Sequence, residues 1–161
     1  MPEAFGSILI KAPSEIISDI KIDSDVVPWN AMSALFSFAG VDLLAGSNPM
    51  LEYKDREDFY VEEIEQKEGF IRIQIFGDEW MDAIQLLVKN GNNVEIYGSI
   101  FHEYGCREYY ALNSVGDRFL EAIDYEGGEE FDEEAVIAAW LNVVPESVKL
   151  MFPDVFEGDS D

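Results

Sequence analysis

Residues 58–76, DFYVEEIEQKEGFIRIQIF, restrict the fold more than any other stretch of the chain. Two extended runs rich in β-branched and aromatic residues flank Gln66-Lys67-Glu68-Gly69, the pattern of an antiparallel hairpin. Pairing Gln66 with Gly69 predicts Ile64 opposite Ile71, Glu63 opposite Arg72 and Phe59 opposite Phe76. Apolar, opposite-charge and aromatic pairs of this kind each support a sheet. Glu62 is the misfit, because that register puts it on the isoleucine face.

The rest of the chain builds around such a sheet. Residues 5–11 (FGSILIK) read as a strand. Pro28 opens a helix over WNAMSALFSFA, with Trp29, Met32, Phe36 and Ala39 at helical spacing and Gly40 as its stop. The Gly/Ser/Asn/Pro patch at 46–49 is a loop. DEWMDAIQLLVKN (78–90) is an amphipathic helix presenting Trp80, Ile84, Leu87 and Val88, with acids in its first turn and Gly91 past its end. VEIYGSIFHEYGCREYYALNSVGDRFLEAIDY then reads as three consecutive strands with turns near Gly105 and Gly116. A loop of Tyr104-Gly105-Cys106 would set Glu103 against Arg107 and Phe101 against Tyr109. A two-residue loop would oppose Glu103 and Glu108, which is electrostatically worse. A last helix begins near Asp132, its N-cap, with Phe131 and Val136 spaced as a hydrophobic staple and Val136, Ala139, Trp140 and Val143 as its buried stripe. Pro145 starts a further short turn. Hairpins on both sides of a helix, followed by a closing helix, predict an α+β fold. Its mainly antiparallel sheet has five or six strands, with an inserted helix and a C-terminal helix packed on it. Residues 1–156 form one domain, and 157–161 are an acidic tail that frays.

Such a core is affordable at 161 residues, 48% of them apolar. The chain nevertheless carries 34 acids against ten bases, a net charge of −24. By thirds the excess is −4 over residues 1–49, −7 over 50–100 and −13 over 101–161. A field of this sign disfavours direct contact with nucleic acid or anionic lipid and speeds encounter with basic partners. The N-terminus lacks the basic and apolar regions of a secretory signal, and the most apolar segment, AMSALFSFAGVDLLAG, is too short to span a bilayer. A single cysteine excludes an internal disulfide and fits a reducing compartment. The expected location is cytoplasmic, with no membrane partner.

Motifs for catalysis are wanting. HEYGC brings His102, Glu103 and Cys106 together, but at a predicted hairpin turn, in an acidic field that raises a thiol pKa. It is not HExxH, so zinc lacks a second histidine. The expectation there is a hairpin-end histidine paired with Glu108 beside an incidental cysteine. Asp19, Asp23 and Asp25 miss the calcium-loop pattern, with Lys21 at its third position and Ser24 at its sixth. Among 34 acids any carboxylate pair can be found, so glycosidase-like pairing has no specificity. There is no phosphate loop, no GxSxG and no basic aromatic face. No enzymatic activity, cofactor or metal is expected.

The informative segment is FLEAIDYEGGEEFDEEAVIAAW, with eight carboxylates from Glu121 to Glu134 and no cation. The dipole of the last helix stabilises Glu133 and Glu134 by ~0.3–1 kcal/mol each. No folding requirement explains Glu126, Glu129 and Glu130 beside Gly127-Gly128. A net charge of −24 also exceeds the magnitude of roughly 2–8 that keeps a small domain soluble. Tyrosines lie close to these acids, and tyrosine is favoured at interface centres. The expected contact residues are Glu126, Glu129, Glu130 and Asp132 with Tyr125 and Tyr104 as aromatic anchors. Glu63, Glu65 and Glu68 at the first hairpin tip form a second patch.

In the run Glu121–Glu134 and the hairpin segment YGSIFHEYGCREYYALN, the chain resembles the small acidic immunity proteins that bacteria make against their own nuclease toxins. That resemblance implies a cytoplasmic inhibitor without activity of its own. It would bind one cognate basic toxin, encoded by a neighbouring gene, through carboxylates and tyrosines. The alternative is a DNA-mimic or antirestriction-type protein that captures DNA-binding proteins. Mimicry wants one charge per ~1.7 Å along a regular surface, whereas these acids are clumped. A small enzyme stands third.

Overall fold

The computed structural model describes residues 4–13, 15–16, 37–41, 60–76, 79–102, 105–124 and 133–156. Six strands, β1 (Ala4–Lys11), β2 (Tyr60–Lys67), β3 (Phe70–Phe76), β4 (Glu95–His102), β5 (Cys106–Leu112) and β6 (Arg118–Asp124), form one sheet. Its order is β2-β3-β1-β4-β5-β6, and every neighbouring pair is antiparallel. The N-terminal strand therefore sits at the centre, between two hairpin systems that are separate in sequence. The α+β class and the antiparallel sheet follow the sequence pattern.

Each sheet face is covered by its own apolar layer. On one face Ile8, Ile10, Ile71, Ile73, Ile96, Ile100 and Leu112 meet Ile84, Leu87 and Val88 of helix α1 (Glu79–Asn90), together with Ala39 and Val41. On the other, Leu9, Phe70, Tyr97, Tyr109, Ala111 and Ile123 meet three C-terminal helices: α2 (Glu133–Val143), α3 (Glu146–Met151) and α4 (Pro153–Phe156). Strand alternation sorts the two sets, because successive side chains point to opposite faces. Within α2 the buried stripe differs from expectation. Trp140 is buried with Val144 just beyond the helix, Val136 and Val143 are half-buried, and Ala139 is exposed. Aromatic bulk decides this angle, since the helix settles where Trp140 can stack on Tyr109 and Phe156, with centroids 5.0 and 5.3 Å away.

Cations hold several of these joints. Arg118 donates to the carbonyls of Val88 (2.6 Å) and Gly91 (2.7 Å), closing the C-terminal end of α1 where carbonyls have no helical partner. Lys149 reaches Leu141 O at 3.2 Å and Glu146 at 3.6 Å. Lys67 reaches Met151 O at 3.2 Å and lies over the Phe152 ring.

Two hairpin registers depart from the expected ones. Lys67 faces Phe70, so the loop is Glu68-Gly69, with φ of 54° and 84°. A two-residue loop of the favoured twist needs positive φ at both positions, and placing Gly69 inside the loop satisfies one of them at no steric cost. The shift preserves the faces: Ile64 meets Ile73, Glu65 meets Arg72 and Glu63 meets Gln74. Phe76 faces Tyr60, and Phe59 lies outside the described residues. The ladder skips between Val61 and Glu63, so Glu62 is the extra residue of a β-bulge, which accounts for its misfit. In the second hairpin His102 faces Cys106, so the loop is 103–105 with Gly105 at φ 92°. That is the three-residue loop ending in a left-handed glycine. Phe101 consequently faces Arg107 rather than Tyr109, and Ser99 faces Tyr109.

Residues 28–36, the patch 46–49, and the expected cap Asp132 with Phe131 lie outside the described residues. The helix that was to stop at Gly40 is seen only at Ser37-Phe38. There Gly40 N bonds to Ser37 O and takes φ 83°.

Candidate functional site

The register assembles a feature that no single strand displays. Glu63, Gln74, Ser7, Ser99, Tyr109 and Glu121 are successive cross-strand neighbours, one from each strand in sheet order. A polar row thus crosses the face that the C-terminal helices cover. Beside it runs a second row in which Phe5 pairs with Phe101 and Phe101 with Arg107. Phe5 and Phe101 stack at 5.4 Å, and the Arg107 guanidinium lies 5.2 Å from the Phe101 centroid. Phe5 is 43% exposed, so this row ends in solvent.

Paired glycine-serine steps build the floor. Gly6-Ser7 in β1 lies beside Gly98-Ser99 in β4, with Ser7 directly opposite Ser99. A Cβ on Gly6 would come within 2.2 Å of Ser99 O, and one on Gly98 within 2.3 Å of Ser7 O. Only glycine at both positions lets the two central strands approach this closely. The close approach places both serines side by side on the opposite face. The Ser7 hydroxyl donates to Gln74 Oε1 at 2.9 Å.

Over this floor lies a groove of about 440 Å³, walled by Phe5, Phe101, Tyr109, Trp140 and Phe156 and rimmed by Glu133, Glu134 and Asp154. Glu133 and Glu134 are the last two carboxylates of the run that begins at Glu121, and they form the first turn of α2. Asp154 pairs with Arg72. Trp140 is fixed by donating its indole N–H to Tyr110 O at 2.7 Å. Tyr109 is 2% exposed, yet among the described residues its hydroxyl has no hydrogen-bond partner of good geometry. Burial pushes its pKa above the ordinary tyrosine value; Arg107, close enough for a weak hydrogen-bonding contact as well as through its charge, pulls it down, and Glu133 pushes it up in the same two ways. The hydroxyl thus sits in the fields of both groups without a well-formed bond to either.

The sheet's other face carries a buried acid, Glu108. Gln85 donates to it at 2.8 and 2.9 Å, and the Tyr110 hydroxyl donates as well. It is thereby a satisfied polar node under α1. His102 and Cys106 are cross-strand neighbours on this face, both half-buried. Among the described residues no cluster of three or more His, Cys, Asp and Glu could hold a metal ion. A larger hollow, about 560 Å³, lies where the β5–β6 loop meets the end of α1. Its polar groups serve the fold. Asn113 Oδ1 accepts from Val115 N and Asp117 N, and Arg118 is committed to the helix end.

Of the expected contact residues, Tyr104, Tyr125, Glu126, Glu129, Glu130 and Asp132 lie outside the described residues. Glu63 and Glu65 take register positions in β2 on the groove-side rows, opposite Gln74 and Arg72. Glu68 is exposed in the hairpin turn. The residues missed from sequence are Ser7, Ser99, Tyr109 and Trp140. A signal for two of them was present: Gly-Ser-Ile occurs at 6–8 and again at 98–100, each after an aromatic residue. Among the described residues, no helix is long and apolar enough to cross a membrane. No family model, characterised protein or solved structure matches the chain, so the reading of this groove rests on its own geometry.

Proposed function

We propose that the chain is an immunity-type inhibitor, an acidic binding protein that neutralises a cognate basic toxin domain of the nuclease kind. The observation that carries this is the use the fold makes of its cations. Arg118, Lys149 and Lys67 bond backbone carbonyls at helix ends, Lys67 and Lys11 lie over Phe152 and Phe70, and Arg107 lies over Phe101. Lys11, Arg72 and Lys149 also pair with Glu95, Asp154 and Glu146, and because ten bases can offset at most ten of the 34 acids, most of the acids have no counter-charge in the chain. A surface of that kind is costly to the fold through self-repulsion and gains its return in association. It steers a basic partner at rates up to ~10⁸–10⁹ M⁻¹s⁻¹ at low salt, which suits an antidote that must act before damage occurs.

The test is retention of partners on the immobilised full chain at about 50 and 500 mM salt, from lysate that contains the neighbouring gene product. One dominant basic protein, released at high salt, is expected. Capture of many DNA-binding proteins would replace this reading with DNA mimicry, and retention that ignores salt would remove its electrostatic basis.

A further inference from the structure

We infer that the groove between β1, β4, β5 and α2 is the seat for one basic side chain of the partner, an arginine in preference to a lysine. The inference rests on the proposed function for the source of that side chain and on the groove's own geometry for its chemistry. Three observations converge. The rim is acidic: Glu133, Glu134 and Asp154 stand against Arg107 alone among the lining residues, and Asp154 is engaged by Arg72. The remaining deficit of positive charge lies at the first turn of α2, on Glu133 and Glu134. The walls are aromatic, and Arg107 over Phe101 at 5.2 Å shows that a guanidinium is accommodated against them. A planar, weakly hydrated guanidinium stacks on rings and bonds carboxylates in pairs, whereas an ammonium ion does neither as well. Finally, the Tyr109 hydroxyl is buried at the inner wall with no well-formed hydrogen bond to any of the described residues. A native fold rarely leaves such a group unsatisfied unless something else completes it. A guanidinium N–H donating to the Tyr109 oxygen, with Glu133 accepting a second N–H, fills that deficit. The volume of about 440 Å³ falls in the range of ligand pockets.

The probe is the capped tripeptide Gly-Arg-Gly, titrated into isotope-labelled full-length protein and followed by NMR. Gly-Lys-Gly and Gly-citrulline-Gly serve as comparisons. Saturable shifts are expected at the Trp140 indole N–H and at the amides of Ser7, Ser99 and Arg107. Citrulline keeps the shape and loses the charge, so it should bind about tenfold more weakly or worse. Tyr109→Phe, which is close to isosteric, should weaken the arginine peptide about fivefold, the worth of one hydrogen bond. Glu133→Gln should weaken it by a similar factor, and Glu146→Gln, which does not line the groove, by less than about twofold. Equal affinity for the citrulline peptide, or shifts spread over the exposed acids with Glu146→Gln as harmful as Glu133→Gln, would overturn the inference. The two readings fail separately. A salt-sensitive basic protein retained equally by wild type, Tyr109→Phe and Glu133→Gln sinks the groove and keeps the proposed function. Arginine peptide seated in the groove, with no basic protein retained, does the reverse.

Discussion

Replacing Tyr109 with phenylalanine should make the free protein more stable, although tyrosine-to-phenylalanine changes in a core ordinarily do the opposite. The ring is 2% exposed and packs on Trp140 at 5.0 Å, and phenylalanine preserves both features. What disappears is a buried hydroxyl that makes no well-formed hydrogen bond to the described residues. Burial of an uncompensated hydroxyl costs about 1–3 kcal/mol on the scale of protein mutations. Arg107 and Glu133 offset part of that through their fields, so the expected gain is about 0.5–1.5 kcal/mol. For a chain of this size that is a rise in Tm of about 2–5 °C. The assay is urea unfolding followed by far-ultraviolet circular dichroism, because Trp140 fluorescence would respond to the substitution itself. The midpoint should rise at unchanged slope. Tyr97→Phe and Tyr110→Phe are the internal comparisons. Their hydroxyls donate to Glu95 at 2.7 Å and to Glu108, so both should lose about 1–2 kcal/mol. If Tyr109→Phe lost as much as those two, the hydroxyl would be held by a partner and the groove would have no unmet demand to recruit a ligand.

Gly98→Ala should destabilise by about 1–3 kcal/mol or prevent folding, because its Cβ meets Ser7 O at 2.3 Å and Ile8 Cδ1 at 2.9 Å in the sheet centre; a soluble variant with an unchanged unfolding midpoint would contradict this. Arg118→Ala should cost about 1–3 kcal/mol through loss of the bonds to Val88 O and Gly91 O, and hydrogen exchange should accelerate first in the last turn of α1. Stability should fall in alkali. Burial, followed by Glu95, raises the Tyr97 pKa far above its ordinary 10.0, so the folded state holds a proton that the unfolded chain releases. That contribution is fully present below pH 10.0 and is lost as pH climbs toward the folded value, at up to about 1.4 kcal/mol per pH unit. The difference in unfolding free energy between wild type and Tyr97→Phe should therefore shrink from pH 10 to 11.

The sequence was most legible where one periodicity dominated. Alternation in 60–76 and 95–124 predicted the strands, and Ile84, Leu87 and Val88 the buried stripe of α1. Registers were less so, because they are decided by where positive φ can be accommodated. Gly69 and Gly105 drew their turns inward, whereas charge pairing had suggested other loops. The groove was illegible for a further reason. Its floor joins residues from strands whose sheet order, β3-β1-β4-β5, is not sequence order, so Gln74, Ser7, Ser99 and Tyr109 become neighbours only once β1 is inserted at the centre. Read strand by strand, each of these residues is one polar side chain among several, as at an ordinary solvent-facing position. The row lies at the edge of the helix-covered layer, with Ser7, Gln74 and Ser99 half-buried beside buried Tyr109.

The acidic run meets the groove at its C-terminal end. Glu121 lies opposite Tyr109 on β6, and Glu133 and Glu134 return at the groove's rim after the intervening segment. Glu133 acts on the Tyr109 hydroxyl, and Glu121 is the cross-strand neighbour of the Tyr109 backbone. Distant carboxylates raise the encounter rate with a cation and are weakened by salt over about 8–10 Å. The groove acts after encounter, over hydrogen-bond distances, where screening is slight. Charge removal in the segment 126–130 and in the groove should then separate kinetically. Neutralising Glu126, Glu129 and Glu130 together should slow association and flatten its salt dependence with little change in dissociation. Tyr109→Phe and Glu133→Gln should speed dissociation of the basic partner by about fivefold and leave the salt slope of association nearly intact. Stopped-flow association with surface-immobilised dissociation measures both. Identical kinetic signatures from the two sets would mean that the field and the groove are not successive stages of one binding event.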